Sequence, residues 1–210
     1  MILIGQFDSP FVRRVGIALT LYEMPFEHRP WSVFGDAGKI APLNPLIRVP
    51  TLVLHDGEAL IESGAILDAL DQIVGPERAM LPAKGAPRRA ALKVCALATG
   101  LADKAVSLVY ERVLHETTSD VWIERCRGQV GGVLDVLEAD RTGRPSVWWF
   151  GEALTHADIA AACALRFMRE AHGDVFDLNR WPALAAHSGR CEALPAFERI
   201  CQPFAFTPPP

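Results

Sequence analysis

The sequence lacks a basic excess: Lys and Arg number 21 against 25 Asp and Glu, for a formal net charge of −4. A nucleic-acid binder needs a positive face for the phosphate backbone, so this balance argues against that class. It also lacks any run approaching the ~20 apolar residues that span a bilayer, so no membrane association is expected. The opening residues, Met1-Ile2-Leu3-Ile4-Gly5, carry neither the basic stretch nor the long apolar segment of a signal peptide. A soluble, cytoplasmic protein is the expectation. No cysteine precedes Cys95. The five cysteines (Cys95, Cys126, Cys163, Cys191, Cys201) are odd in number and form no CxxC pair, and the six histidines are scattered. Neither a zinc site nor a disulfide framework is supported, and reduced, mostly buried thiols are expected. There are no internal repeats, and the only low-complexity stretch is the tail at residues 208–210, which has no reason to be ordered.

What remains is a globular composition, 50% hydrophobic and 22% charged, long enough at 210 residues for one large domain or two small ones. The first third mixes strand and helix signals. Residues 2–5 read as a short apolar strand, interrupted by Gln6-Phe7-Asp8-Ser9-Pro10. From Pro10, Val12, Val15, Ala18, Leu19 and Tyr22 recur at helical spacing, with Arg13 and Arg14 on the other side. A proline is tolerated in a first turn because its missing N–H would have had no helical partner. After Pro25, residues 26–29 read as a second strand, and a loop with Gly35, Gly38, Pro42 and Pro45 follows. Residues 51–54, a turn at Asp56-Gly57 and residues 59–61 form a β-hairpin pattern. Ser63 starts a helix whose Ile66, Leu67, Leu70 and Ile73 face one way, and Gly75-Pro76 stops it. The order is βαβ, then ββα.

Beyond residue 87 strand signals almost vanish. Helical patterns cover residues 87 to about 113, 121 to about 138, a segment beginning near Thr155, residues 182–190 and residues 195–201. The expected division is a mixed α/β domain over residues 1–77, a linker at 78–86 with Pro82 and Gly85, and an all-helical domain over 87–210.

Three features of the first domain bear on chemistry. Ser9 sits between a strand end and a helix start, where free backbone N–H groups and the helix dipole favour an anion; it is equally a good plain N-cap. Arg48-Val49-Pro50-Thr51 leads into the hairpin. A cis bond before Pro50 would let the Val49 backbone present its N–H and C=O to an extended ligand, whereas a proline at a strand's first position is also common. Glu62-Ser63 opens the next helix, where a hydroxyl and N–H groups suit a carboxylate and Glu62 suits an ammonium group, or where an acid simply favours the helix.

Together these segments carry a resemblance. Asp8-Ser9-Pro10-Phe11-Val12-Arg13-Arg14, then Asn44-Pro45 and Arg48-Val49-Pro50-Thr51-Leu52, then Ile61-Glu62-Ser63 resembles the N-terminal domain of cytosolic glutathione S-transferases, in the spacing of the serine-type bacterial, theta-like and zeta-like branches. Leu154-Thr155-His156-Ala157-Asp158-Ile159-Ala160 resembles that family's capping-box segment. Trp181-Pro182-Ala183-Leu184 and Leu194-Pro195-Ala196-Phe197 resemble its closing helices. Thr155 and Asp158 suit a capping box with Asp at its third position.

The resemblance implies a thioredoxin-like N-terminal domain, an all-α C-terminal domain and glutathione as cosubstrate with no metal. By the same resemblance Ser9 is the catalytic hydroxyl, donating to the glutathione sulfur and promoting its attack on a small hydrophobic electrophile or peroxide. Val49 beside Pro50 pairs with the cysteinyl backbone, Glu62 and Ser63 hold the γ-glutamyl end, Arg48 contacts the ligand, and Phe11 lines the mouth. A pocket for a small hydrophobic electrophile would draw on Phe7, Val106 and Tyr110, together with Ala102, Arg112 and the stretch from Trp31 to Gly35; each of these could equally be core. A homodimer is implied too. The first domain has no cysteine of its own, which argues against a thioltransferase that attacks with a protein thiol. A glutathione-dependent isomerase or reductase, and a non-catalytic binding or scaffold protein on the same fold, stay open. Zeta-like isomerases usually carry Ser-Ser-Cys where this chain has Asp8-Ser9-Pro10.

Overall fold

The structure is a computed structural model and describes residues 1–206; the proline tail at 208–210 lies outside the described residues. The chain forms two compact units, one from Met1–Ala83 with residues 194–206, the other from Lys84–Ala193.

The first unit contains β1 (Ile2–Ile4), α1 (Pro10–Leu21), β2 (Glu27–Arg29), α2 (Ala37–Ile40), β3 (Thr51–Val53), β4 (Ala59–Ile61) and α3 (Ser63–Val74), with the last helix, α8 (Pro195–Arg199), returning from the chain's end. The four strands form one sheet in the order β2-β1-β3-β4. β1 runs parallel to β2 and antiparallel to β3, and β3 is antiparallel to β4. The expected βαβ then ββα order is present. The single turn α2 falls in the stretch read as loop, because a four-residue helix displays no periodicity to read.

Register has a direct consequence. Ile4 pairs with Thr51, and Thr51 also pairs with Ile61. The residues just after β1, just before β3 and just after β4 therefore emerge at the same edge of the sheet. Gly5 is what lets the first two meet. Its φ is +122°, and a Cβ there would lie 2.5 Å from Val12 Cγ2 and 2.7 Å from Val49 Cβ. Only a residue with no side chain fits that backbone and that gap.

The core under the sheet comes from α1 and α3. Val12, Val15, Ile17, Ala18 and Leu19 are buried with Leu3, Ile4, Leu52, Ile66, Leu67 and Leu70. Each fully buried large aliphatic contributes about 1.5–3 kcal/mol. Two sequence expectations fail here. Ile73 does not share the buried face of α3, being 53% exposed near the helix end. Arg13 and Arg14 do not sit on an outer face but are buried. Arg13 donates from Nε to Ile200 O (2.8 Å) and from Nη2 to Phe197 O (3.0 Å), with its guanidinium over the Phe197 ring. Arg14 donates to Ser63 Oγ at 3.4 Å. Charge inside the unit is tolerated because carbonyls and hydroxyls meet it. The Arg13 bonds are also what tie α8 to the first unit. At the far end of α1, the Tyr22 hydroxyl donates to Asp71, whose carboxylate also accepts from Leu81 N (3.1 Å), while Met80 N donates to Tyr22 Oη (2.9 Å). This network docks the segment after α3 instead of leaving it loose, and burial beside Asp71 pushes the Tyr22 phenol up.

The second unit contains α4 (Gly85–Leu114), α5 (Asp120–Thr142), α6 (His156–Ala171), a 3-10 turn (Leu178–Arg180) and α7 (Pro182–Glu192). α6 is buried on nearly all sides, and Ala157, Ala160, Ala161, Ala162 and Ala164 let neighbours approach closely. The Thr155–Asp158 capping box is present. Asp158 is wholly buried and accepts from Thr155 N (2.8 Å), Thr155 Oγ1 (2.6 Å) and Trp149 N (2.7 Å), so it holds the chain's entry into α6 as well as the helix start. His187 of α7 places Nε2 3.6 Å from Asp158 Oδ1 and 3.6 Å from Cys191 Sγ. Among the described residues no helix is long and apolar enough to cross a membrane.

Two outcomes follow. Gly5→Ala is expected to lower the unfolding free energy by about 2–5 kcal/mol, combining a strained positive φ with overpacking; urea denaturation followed by circular dichroism measures it. The second concerns pH. Burial pushes the His187 imidazole from 6.5 down to about 4, with Asp158 opposing and Arg141 and Arg190 assisting. Between those values the unfolded chain holds the extra proton, so stability is intact above about 6.5 and is lost as pH falls toward 4. The urea midpoint of wild type should decline across that window, and His187→Gln should flatten the decline.

Candidate functional site

Ser9 is the N-cap of α1, with extended backbone (φ −68°, ψ 124°), and its Oγ accepts from Val12 N at 3.4 Å. The plain capping role is therefore filled. A serine hydroxyl carries one donor beside its acceptor lone pairs, so accepting from Val12 leaves the Ser9 proton available to donate outward. Pro10 occupies the first turn of this 12-residue helix, whose N–H groups and dipole give the position a positive character.

The loop before β3 is shaped by a residue with no role assigned from sequence. Asn44 is buried; its Nδ2 donates to Arg48 O (2.8 Å) and Thr51 Oγ1 (3.5 Å), and its Oδ1 accepts from Leu46 N (3.1 Å). One amide thus cross-braces the backbone on both sides of Ile47, which has a φ of +50°. The peptide bond between Val49 and Pro50 is cis. An Asn-Pro dipeptide is the signal that marks such a turn, since Asn bonds its own backbone two residues on.

Glu62 caps α3 from an unusual backbone position, φ 68° and ψ 120°. A non-glycine residue there costs about 1–3 kcal/mol and persists where surrounding structure enforces it, commonly at ligand sites. Its Oε1 accepts from Ser63 Oγ (3.3 Å) and Gly64 N (3.4 Å). Ser63 is buried beneath it and receives Arg14, so the pair is held from inside the unit.

These parts bound one open cleft, lined by Phe11, Asn44, Leu46, Arg48, Val49, Pro50, Ile61 and Glu62. Of the residues singled out from sequence, Phe11, Arg48, Val49, Pro50 and Glu62 line it directly. Ser9 stands at the N-terminus of the helix that contributes Phe11, and Ser63 lies behind Glu62. The cleft offers a carboxylate, a guanidinium-bearing loop, the Val49 backbone and two helix N-termini, a set suited to an extended zwitterionic peptide.

Phe7, Val106 and Tyr110 are not among the residues lining this cleft. The Phe7 ring is buried within the first unit, stacked on His28 with centroids 3.8 Å apart, and His28 Nε2 donates to Gly5 O at 2.8 Å. Val106 and Tyr110 lie one turn apart on α4 of the second unit, half-buried and exposed respectively. Sequence reasoning missed Gly5 and His28 because nothing local distinguishes either from an ordinary loop or strand residue. Four of the five cysteines are buried and Cys201 is exposed.

Comparison with known proteins accords with this geometry. The family model for the glutathione S-transferase N-terminal domain matches residues 3–78, and that for the C-terminal domain matches residues 120–190. The GST-like protein YibF of Escherichia coli K12 is 32% identical over 180 residues, 82% of this chain and 86% of that protein. Maleylacetoacetate isomerase of Pseudomonas aeruginosa is 29% identical over 209 residues, 95% of this chain and 94% of that protein. A solved glutathione S-transferase from Methylobacterium radiotolerans, in complex with glutathione sulfonate, superposes with a TM-score of 0.90 at 30% identity, covering 98% of this chain and 96% of that one. With both domain models matched and the cleft built from the residues that carried the resemblance, the chain belongs to the glutathione S-transferase family.

Proposed function

We propose that this chain binds glutathione in the cleft of its first unit and promotes attack of the glutathione sulfur on a small hydrophobic electrophile. The observation that supports the reading is the convergence of the loop after β1, the segment before β3 and the turn after β4 at one sheet edge, around a cleft lined by Phe11, Arg48, Val49 and Glu62. The glutathione sulfonate bound in the Methylobacterium relative supports the choice of ligand. The Val49 N–H and C=O pair with the cysteinyl backbone of the tripeptide. Glu62 meets the ammonium group, Ser63 and the first turn of α3 meet the γ-glutamyl carboxylate, Arg48 contacts the ligand from the exposed loop, and Phe11 lines the mouth.

The chemistry asked of Ser9 is limited. A free thiol has pKa about 8.5, so only a few per cent is ionised at pH 7. A hydroxyl donor at a helix N-terminus stabilises the thiolate, and each unit of lowering is worth about 1.4 kcal/mol and nearly tenfold in thiolate fraction. The thiol proton leaves to solvent. The thiolate then forms a C–S bond, and either a leaving group departs with its electron pair or an activated double bond takes up a proton. Ser9 donates throughout and is never deprotonated. The organism's cytoplasm is the compartment we assign to the protein, and a homodimer is its proposed assembly.

The isomerase relative supports a second reading, in which the thiolate adds to a cis double bond, the adduct rotates, and the thiolate is expelled. Glutathione is consumed in the first reading and returned in the second.

A glutathione-dependent activity panel over aryl halides, enals, hydroperoxides, mixed disulfides and cis-enoyl acids, with free glutathione followed, separates them. Ser9→Ala should lower kcat/KM by about 100-fold or more, the scale of losing one charge-stabilising donor, while the Kd for glutathione stays within about threefold. An unchanged rate would remove Ser9 from the mechanism.

A further inference from the structure

The loop from Gly5 to Ser9 is held at its ends by neighbours expected of any strand-to-helix connection. Gly5 N donates to Arg29 O (2.9 Å), Gly5 O accepts from His28, and Ser9 N donates to Gln6 O (3.2 Å) before α1 takes over. The middle is held by something else. Phe7 N donates to Gln202 Oε1 at 3.1 Å, a partner 195 positions further along the chain. One step on, Asp8 Oδ2 accepts from Ala205 N at 3.5 Å, and the Phe206 ring meets Phe34 edge-on at 5.6 Å. The two residues immediately before Ser9 are thus bracketed by the end of the chain.

The segment that leads to Gln202 is anchored inside the unit. Arg13 grips the carbonyls of Phe197 and Ile200 from inside the unit. The Ile200 side chain fits against Gly16, where a Cβ would stand 2.9 Å from Ile200 Cγ2 and 2.9 Å from Phe7 Cε1. Gln202 follows two residues after this anchor. The same contact presses Phe7 and Ile200 onto one glycine of α1, so loop and tail share a single seat.

We propose that Gln202 is a positioning residue for Ser9: its side-chain carbonyl holds the loop at Phe7 so that the Ser9 hydroxyl keeps hydrogen-bond distance to the glutathione thiolate. This rests on the function proposed above. A hydrogen bond to an anion weakens steeply outside its normal length, and an ångström of misplacement can cost about 100-fold in rate. A backbone N–H set two residues from the donor is well placed to control that ångström. Because Gln202 touches the loop and not the cleft, its loss acts on thiolate stabilisation and leaves the groups that bind the tripeptide untouched.

The test uses Gln202→Met, which keeps the volume and removes the acceptor, alone and combined with Ser9→Ala. Three quantities are read: kcat and KM for glutathione across pH 5.5–9, the thiolate absorbance of bound glutathione against pH, and the thermal midpoint. For Gln202→Met, kcat near pH 6.5 should fall about tenfold and the thiolate titration should move up by about one unit. KM for glutathione should change less than about twofold, and activity should recover at high pH. In the Ser9→Ala background the same substitution should add little, since its effect passes through the hydroxyl. A thiolate titration unchanged by Gln202→Met, or an equal loss with and without Ser9, would overturn the proposal while leaving the function standing. If Ser9→Ala alone changes neither rate nor titration, the function assigned to Ser9 fails and this proposal fails with it.

Discussion

The site depends on where β3 lies. Flanked by β1 and β4 and antiparallel to both, it brings the loop after β1, the segment before its own first residue and the turn after β4 to a common edge of the sheet. Every candidate ligand contact in the first unit comes from one of those segments or from the helices they open. A one-residue slip in either pairing would turn each side chain to the opposite face and dissolve the cleft. Gly5 then sets how closely the first two segments meet, because its missing Cβ is the gap between Val12 and Val49.

Around that edge, polar groups inside the unit brace backbone that would otherwise be irregular. Asn44 fixes the turn ahead of the cis bond, Arg14 and Ser63 support Glu62 in its costly conformation, and Arg13 holds the returning chain end. Arg13 is met by backbone carbonyls and Asn44 by a carbonyl and a hydroxyl, the condition under which such groups are buried without a large penalty. On the function proposed above, this bracing is what the site needs, because a donor that must meet a developing anion is effective only if it is already in place.

The second unit shows the same principle in a structural role. Asp158 is both a helix-capping residue and the acceptor for the chain entering α6, and the packing that buries it also keeps His187 neutral. Burial likewise pushes the neighbouring Cys191 thiol up, so this enclosed Asp, His and Cys grouping has an inert thiol rather than a nucleophile.

Much of this was legible from the sequence by itself. Helical spacing in α1 and the long helices, the Asp56-Gly57 hairpin, the Ser9 cap and the Thr155–Asp158 box depend on residues within a few positions of one another, where propensity and local hydrogen bonding decide. The order of the three cleft segments was readable too, and so was the family they resemble. Other features had no local signature. Arg13 and Arg14 looked solvent-facing by periodicity, but carbonyls and a hydroxyl from distant segments draw them inward. The bond from Phe7 to Gln202 and the closeness of Gly5 to Val49 exist only once the sheet register and the return of α8 are set. Local chemistry determined which elements form and which residue types stand at their ends; packing over long chain separations decided which of those ends meet, because burial and hydrogen-bond satisfaction are properties of the assembled unit and not of any short stretch of it.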